Sequence, residues 1–301
     1  MGADRYDAVV VGGSFAGLAA AMQLSRARRR VLVVDAGLPR NRFAHASHGF
    51  LGQDGRAPAD IIATARAEVL AYPTAAFRRD EATHAWPAED GFELALASGN
   101  TIHARRLVLA TGVVDELPEI PGLRERWGVS VLHCPYCHGY EVAGRRLGVL
   151  ATGEMAVHQA PLVTDWSGDV TLFTNGVAFT ADQRAAFAAH GVRMEERPVA
   201  ALVGEGLALS GVRLGDGETI AIDALFTASR TRMASPLAEQ LGCAFDDGPF
   251  GPVIRTDGRK VTTVPGVFAA GDAARVPYNA TIAAADGVLT GISAHQSLVF
   301  G

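Results

Sequence analysis

The sequence predicts an α/β protein made of two nucleotide-binding domains of strand–helix–strand design, one inserted into the other. Three observations predict it. The β-branched run Tyr6 to Val11 ends in the turn Gly12-Gly13-Ser14-Phe15-Ala16-Gly17, a second strand–helix–strand pattern follows from Arg146 to Phe173, and Cys134-Pro135-Tyr136-Cys137 stands between them. The 301 residues suffice for two domains. With 49% apolar residues, 20% charged residues and 34 glycines, the profile is that of an α/β enzyme with many tight turns.

The elements follow in order. After the glycine turn, Leu18 to Arg26 has a helical pattern, and Val31 to Val34 gives a second strand ending in Asp35. In such a unit the glycines permit the tight turn and close helix–strand packing, while the helix N-terminus receives a pyrophosphate. Asp35 stands where an acid binds the adenosine ribose hydroxyls. Ser14 replaces the second glycine of G-x-G-x-x-G, and serine is small enough to keep the turn. Phe92 to Leu96 and Thr101 to His103 read as strands of a small antiparallel layer, with Ser98-Gly99-Asn100 as the turn. Leu107 to Ala110 is a separate buried strand running into Thr111-Gly112. Leu117 to Gly122, with two prolines and a glycine, reads as a domain crossing.

Beyond the cysteines, Arg146 to Ala151 is a strand, Met155 to Trp166 a helix and Val170 to Phe173 a strand, and Phe226 to Arg230 begins the return crossing. Val264 to Asp272 gives a strand ending in Gly-Asp, which would set a carboxylate and backbone amides near the ribityl and pyrophosphate region of a flavin. Ala280 to Leu298 is the final helix. The first domain is therefore discontinuous: 1–114 and 231–301 enclose an insert, 115–230, that carries the cysteines.

A net charge of −5 argues against a nucleic-acid footprint. Arg26 to Arg30, the one basic run, reads as a solvated helix end. No apolar stretch reaches membrane-spanning length, the chain enters its first strand without a signal peptide, and Met1-Gly2 lacks the Ser or Thr at position 6 that myristoylation prefers. Three cysteines make no structural disulfide framework, so a cytoplasmic location is expected. A two-residue spacer lets Cys134 and Cys137 close a small disulfide and lowers the pKa of one thiol. His133 to His138 also offers metal-ligand types, but four ligands within six residues cannot easily surround one ion tetrahedrally. Redox chemistry without a metal is the expectation. Cys243 reads as a buried structural thiol, His133 as either an acid–base group or a strand residue, and the remaining histidines as surface residues.

Gly12 to Gly17, Ala110-Thr111-Gly112, Cys134 to Cys137 and Ala270-Gly271-Asp272 together resemble the low-molecular-weight thioredoxin reductase family in order and approximate spacing, over nearly the whole chain. The resemblance implies two Rossmann-like domains, a homodimer and bound FAD. It implies flavin contacts from Gly12, Gly13, Ser14, Phe15, Ala16, Gly17, Asp35, Ala36, Arg42, His48, Thr111, Gly112, Gly271, Asp272 and Thr281. Cys137 would face the isoalloxazine and Cys134 would exchange with substrate. Tyr278 and Asn279 stand where that family holds an Arg-Gln pair, so no contact is carried over there.

Two departures define the branch. His138 follows the second cysteine where the reductases carry an acid, and a histidine near neutral pKa can take and return a thiol proton. The turn Ala151-Thr152-Gly153-Glu154-Met155-Ala156 lacks its first glycine, sets Glu154 against the helix dipole, and has no arginine after Phe173 for a 2′-phosphate. Weak NADPH binding is the expectation. Both departures, with His45 and His48, resemble the relatives that act as dithiol oxidases, closing disulfides in natural products with oxygen as acceptor. That resemblance implies catalytic roles for Cys134, Cys137 and His138 and a small dithiol substrate. An NADPH-dependent thioredoxin reductase, with thioredoxin as partner, and a flavin-bound redox sensor with little turnover are the alternatives.

Overall fold

The structure, a computed structural model, describes residues 4–301; Met1-Gly2, read above for myristoylation, lies outside the described residues. The chain opens with β1 (Asp4–Val11), α1 (Phe15–Arg26), β2 (Val31–Asp35), α2 (Pro58–Leu70), β3 (Ala75–Arg79), β4 (Ala82–Ala88), β5 (Gly91–Leu96), β6 (Thr101–Leu109) and β7 (Val113–Glu116). Its middle holds β8 (Val131–Leu132), α3 (Pro135–His138), β9 (Leu147–Leu150), α4 (Ala156–Val163), β10 (Val170–Phe173), α5 (Ala181–Ala189), β11 (Arg193–Glu195), β12 (Val199–Val203), β13 (Gly211–Leu214), β14 (Thr219–Ile220) and β15 (Ala224–Thr227). It closes with β16 (Arg230–Met233), α6 (Leu237–Gln240), β17 (Phe245–Asp247), β18 (Pro252–Ile254), β19 (Val267–Ala269) and α7 (Ala280–Phe300).

These elements form two compact units. One takes the residues up to Arg42, Phe50–Val114 and Thr231–Gly301, and the other takes Phe43–Gly49 and Asp115–Arg230. The short segment Phe43–Gly49, with His45 and His48, thus packs with the cysteine-bearing unit.

The first unit is built on a seven-stranded sheet in the order β3-β2-β1-β6-β5-β4, with β19 also on β6. Alternation does the sorting. Val9, Val11, Leu32 and Val34 enter one apolar layer, while Ala8, Val10, Val31 and Val33 enter the other with α1 and α7. Both faces of β1 and β2 are buried, so these strands read as continuous apolar runs. Thr101–His103 and Leu107–Leu109, expected as two strands, are one strand, β6. Its first half pairs antiparallel with β5, and its second half pairs parallel with β19 along the same edge. Parallel pairing with β1 along its whole length carries the strand through Arg105 and Arg106.

The second unit has a five-stranded parallel sheet, β11-β10-β9-β15-β8, and a three-stranded antiparallel layer, β12-β13-β14. Phe226 and Thr227 are buried in β15 of that sheet rather than in the crossing, because apolar residues fill both of its faces. The chain crosses instead at β16. The helix expected over Met155 to Trp166 is shorter, with Met155 as its N-cap, Pro161 inside it and a turn from Thr164 onward. Proline has no N–H to give the helix ladder. No helix among the described residues is long and apolar enough to cross a membrane.

Candidate active site

The C-terminal ends of β1, β6 and β19 lie side by side, Val11 opposite Leu109 and Leu109 opposite Ala269. The loops that leave these ends are Gly12–Gly17, Ala110–Gly112 and Ala270–Asp272, so the first unit brings all three predicted pieces to one sheet edge. Gly12 has φ +107, and a Cβ there would stand 2.2 Å from the Ala110 carbonyl oxygen. A Cβ on Gly17 would stand 1.7 Å from the Gly12 oxygen. Ser14 is the N-cap of α1 but makes no side-chain cap, so the first-turn amides keep their capacity for an anion.

Asp35 ends β2 and turns back to this loop. Its Oδ1 accepts from the Gly13 amide at 3.0 Å. Its Oδ2 accepts from Arg79 at 3.1 Å, and Arg79, its register partner across β3, also donates to the Gly37 carbonyl. Each carboxylate oxygen keeps a further acceptor site for a ribose hydroxyl. Ala36 is exposed beside it. Arg42 donates to the carbonyls of its own loop, Pro39 and Leu38. Arg40 pairs with Asp272 at 3.2 Å and stacks over Tyr278 at 4.3 Å.

The Gly271 amide donates to Asp286, a carboxylate 2% exposed in α7 that also holds Lys260 at 2.6 Å and Arg275 at 3.3 Å. Sequence reasoning missed Arg40, Arg79 and Asp286. Asp286 had a signal, since it is the sole acid in a helix of apolar and small residues. Asn279, which stands in the inherited Arg-Gln place, caps α7 by accepting from the Thr281 and Ile282 amides, while Tyr278 bonds Thr231 at 2.8 Å. Thr281 is exposed in the first turn of α7. A glycine turn that a Cβ would fill, uncapped helix amides and an acid at the end of β2 are the donor and acceptor set an FAD needs. The residues present fit it.

In the second unit Cys134 and Cys137 are joined as a disulfide, with Cα atoms 5.3 Å apart. Cys134 is the N-cap of α3, Pro135 opens the helix and Cys137 lies within it. A Cβ on Gly139 would meet the Trp166 ring at 2.7 Å, and Tyr136 meets that ring edge-on at 5.6 Å. This packing fixes α3 on the unit. Tyr136 and Tyr140 themselves are exposed. His133 gives its carbonyl to the Gln159 amide at 2.9 Å. Burial pushes the pKa of His138 below its usual value; Glu141 opposes that shift and His48 adds to it. His48, expected as a flavin contact, is placed by the structure 3.5 Å from Glu141 in this unit.

The nucleotide turn of this unit has a different character. The Thr152 hydroxyl donates to the Ala228 carbonyl, Glu154 is exposed before α4, and the Asn175 side chain accepts from the Val199 amide. Arg197, beyond β11, is held by Glu195, Asp216 and Glu218 at 2.7–2.8 Å, which raises its pKa further. Arg193 pairs with Asp169 and Arg184 with Glu196. This residue set does not fit a phosphorylated dinucleotide.

Two minor expectations resolve differently. Cys243 is buried with its thiol on Thr262, and burial raises its pKa, as suits a structural thiol. His103, expected at the surface, is buried in β6 because that strand runs through the sheet.

The sequence matches the family described as pyridine nucleotide-disulphide oxidoreductase over residues 6–287. A relative named thioredoxin reductase tcpT, from Claviceps purpurea, is 35% identical over 97% of this chain and 94% of its own length. Among solved structures, an oxidoreductase from Agrobacterium tumefaciens is 48% identical with a TM-score of 0.93, covering 98% of this chain and 99% of that one. The structure of HlmI is 42% identical with a TM-score of 0.91, covering 99% and 93%. The chain belongs to the pyridine nucleotide-disulphide oxidoreductase family, as a thioredoxin reductase-like, FAD-dependent enzyme acting on sulfur groups.

Proposed function

We propose that this enzyme is a dithiol oxidase: it closes an intramolecular disulfide in a small dithiol, with oxygen as terminal acceptor and hydrogen peroxide as product. One observation carries the reading. The second unit keeps the frame of a pyridine-nucleotide domain but opposes the charge of such a ligand, with Glu154 before α4 and Arg197 enclosed by three carboxylates. A charge-assisted arginine contact to a phosphate contributes about 1.5–3 kcal/mol, so its loss weakens binding roughly 10- to 100-fold. Adverse charge at a helix N-terminus adds about 0.3–1 kcal/mol. The frame then serves to hold α3 and its cysteines.

In this reading a substrate thiol gives its proton to His138, and the thiolate attacks Cys134, breaking the Cys134–Cys137 bond and leaving Cys137 as thiolate. The second substrate thiolate attacks the substrate sulfur of the mixed disulfide, which closes the product and frees Cys134. The loops Gly12–Gly17, Ala110–Gly112 and Ala270–Asp272 would hold FAD, which would supply a two-electron acceptor that oxygen can re-oxidise. Cys134 and Cys137 give up the electron pair as they re-form their bond, and the two substrate protons go with it to oxygen as hydrogen peroxide. His138 suits its part because burial keeps it neutral, and so able to accept a proton, near pH 7.

The reductase reading runs the same parts from NADPH to thioredoxin, and its support is the name that the relative from Claviceps purpurea bears. Anaerobic stopped-flow mixing of the purified flavoenzyme, separately with NADPH and with dithiothreitol, tests the two. Rapid bleaching by the dithiol alone is the expected result, and rapid bleaching by NADPH would overturn it. Bleaching without steady-state turnover in air would instead indicate a flavin-bound sensor. We further place the enzyme in the cytoplasm as a homodimer, for which sedimentation equilibrium is the check of assembly.

A further inference from the structure

Glu141 lies three residues beyond His138, in the short 3-10 turn Tyr140–Val142 that continues α3. His48 reaches the same place from the segment Phe43–Gly49, which packs with this unit while its flanking residues do not. Its Nε2 stands 3.5 Å from Glu141 Oε1, and both side chains are only partly exposed. Among the described residues, Glu141 and His48 are the charged or titratable groups whose fields reach His138, with opposite sign. From the α4 side come Gln159, on the His133 carbonyl, and Trp166, against Gly139, neither of which titrates. Glu141, one turn beyond His138, and His48 are thus brought together at α3 from distant segments of the chain.

We propose that Glu141 and His48 are positioning residues that jointly set the charge on His138 during thiol–disulfide exchange. The inference rests on the reading of His138 as the proton acceptor. When substrate S–H ionises, its proton goes to an imidazole nitrogen of His138, and the sulfur electron pair forms the bond to Cys134 while the old S–S pair leaves on Cys137. The imidazolium that results is poorly solvated where burial already disfavours it. Glu141 stabilises that cation, and His48, when protonated, opposes it. His138 is thereby a base weak enough to give its proton back and strong enough to take it.

The two partners act on His138 with opposite sign, which a purely structural role would not produce. Glu141→Gln removes the stabilising charge, so the His138 pKa falls and the acidic limb of kcat/KM moves to lower pH. His48→Gln removes the opposing charge, so both move to higher pH. Shifts of roughly half a pH unit each are expected. The test uses the FAD-loaded full chain. The His138 ring is titrated by 15N NMR, with His138→Gln assigning its resonance, and kcat/KM for dithiothreitol is followed against pH.

Opposite displacements in both readouts support the inference. No displacement of the His138 resonance, or displacement in the same direction by both variants, overturns it even if both variants lose activity. The reading of His138 is tested apart from this: His138→Gln should lower kcat/KM by roughly 10²- to 10⁴-fold. Wild-type kcat/KM in that variant would remove the proton acceptor itself, whatever the titrations of the other two show.

Discussion

Cys243 and the Cys134–Cys137 pair show how placement divides one chemical group into two behaviours. Cys243 is buried among apolar neighbours with a raised pKa, whereas the pair lies half-buried on a short helix. After reduction of the native enzyme, a disulfide reagent should therefore titrate two thiols at once and the third only on unfolding. Cys134→Ser and Cys137→Ser should each abolish dithiol turnover yet retain FAD, read from the visible spectrum, because the loops proposed to hold its pyrophosphate lie in the first unit. The proton acceptance proposed for His138 sets the expected pH response. Its pKa is lowered, so the base form persists below the usual histidine range, and kcat/KM should fall only as pH drops through that lowered value. Cys134, Cys137 and His138 were legible because they are contiguous. Arg79 with Asp35, Arg40 with Asp272 and His48 with Glu141 were not, because each pair is joined only by the fold.

Helices α1 and α7 meet without side chains between them at two points. A Cβ on Gly287 would stand 2.0 Å from the Ala16 carbonyl oxygen, and one on Gly291 would stand 2.5 Å from that of Ala20. Alanine is the better helix former by about 1 kcal/mol, but backbone this close cannot yield, and overpacking costs about 1–3 kcal/mol. Gly287→Ala should therefore lower the urea midpoint. Asp286→Asn should cost more, about 3–5 kcal/mol, because Lys260 and Arg275 would lose their shared carboxylate in a buried place; chemical denaturation with flavin release as a second probe checks both. Strands with strict alternation or full burial, such as β1, β2 and β10, were legible from period alone. The continuity of β6 was not, since it depends on two different neighbours sharing one edge.

Across the whole molecule, charge is distributed so that the first unit leaves first-turn amides of α1 uncapped and the second encloses Arg197 with three acids. Calorimetric titration with NADPH should accordingly show very weak binding; micromolar affinity with prompt flavin reduction would count against the oxidase. The repeat of strand–helix–strand units and the glycine turns made the two-domain plan legible. The return of Phe43–Gly49 to the second unit was not, because nothing in its composition marks it. The plan also sets an order of events during synthesis. Residues 115–230 leave the ribosome as one stretch and can gather their own core at once. The first unit must wait for β19 to join β6 and for α7 to close on α1, and both are made after the whole of residues 115–230. Flavin capture at the proposed site, which needs the loop after β19, is therefore expected to follow the folding of the second unit.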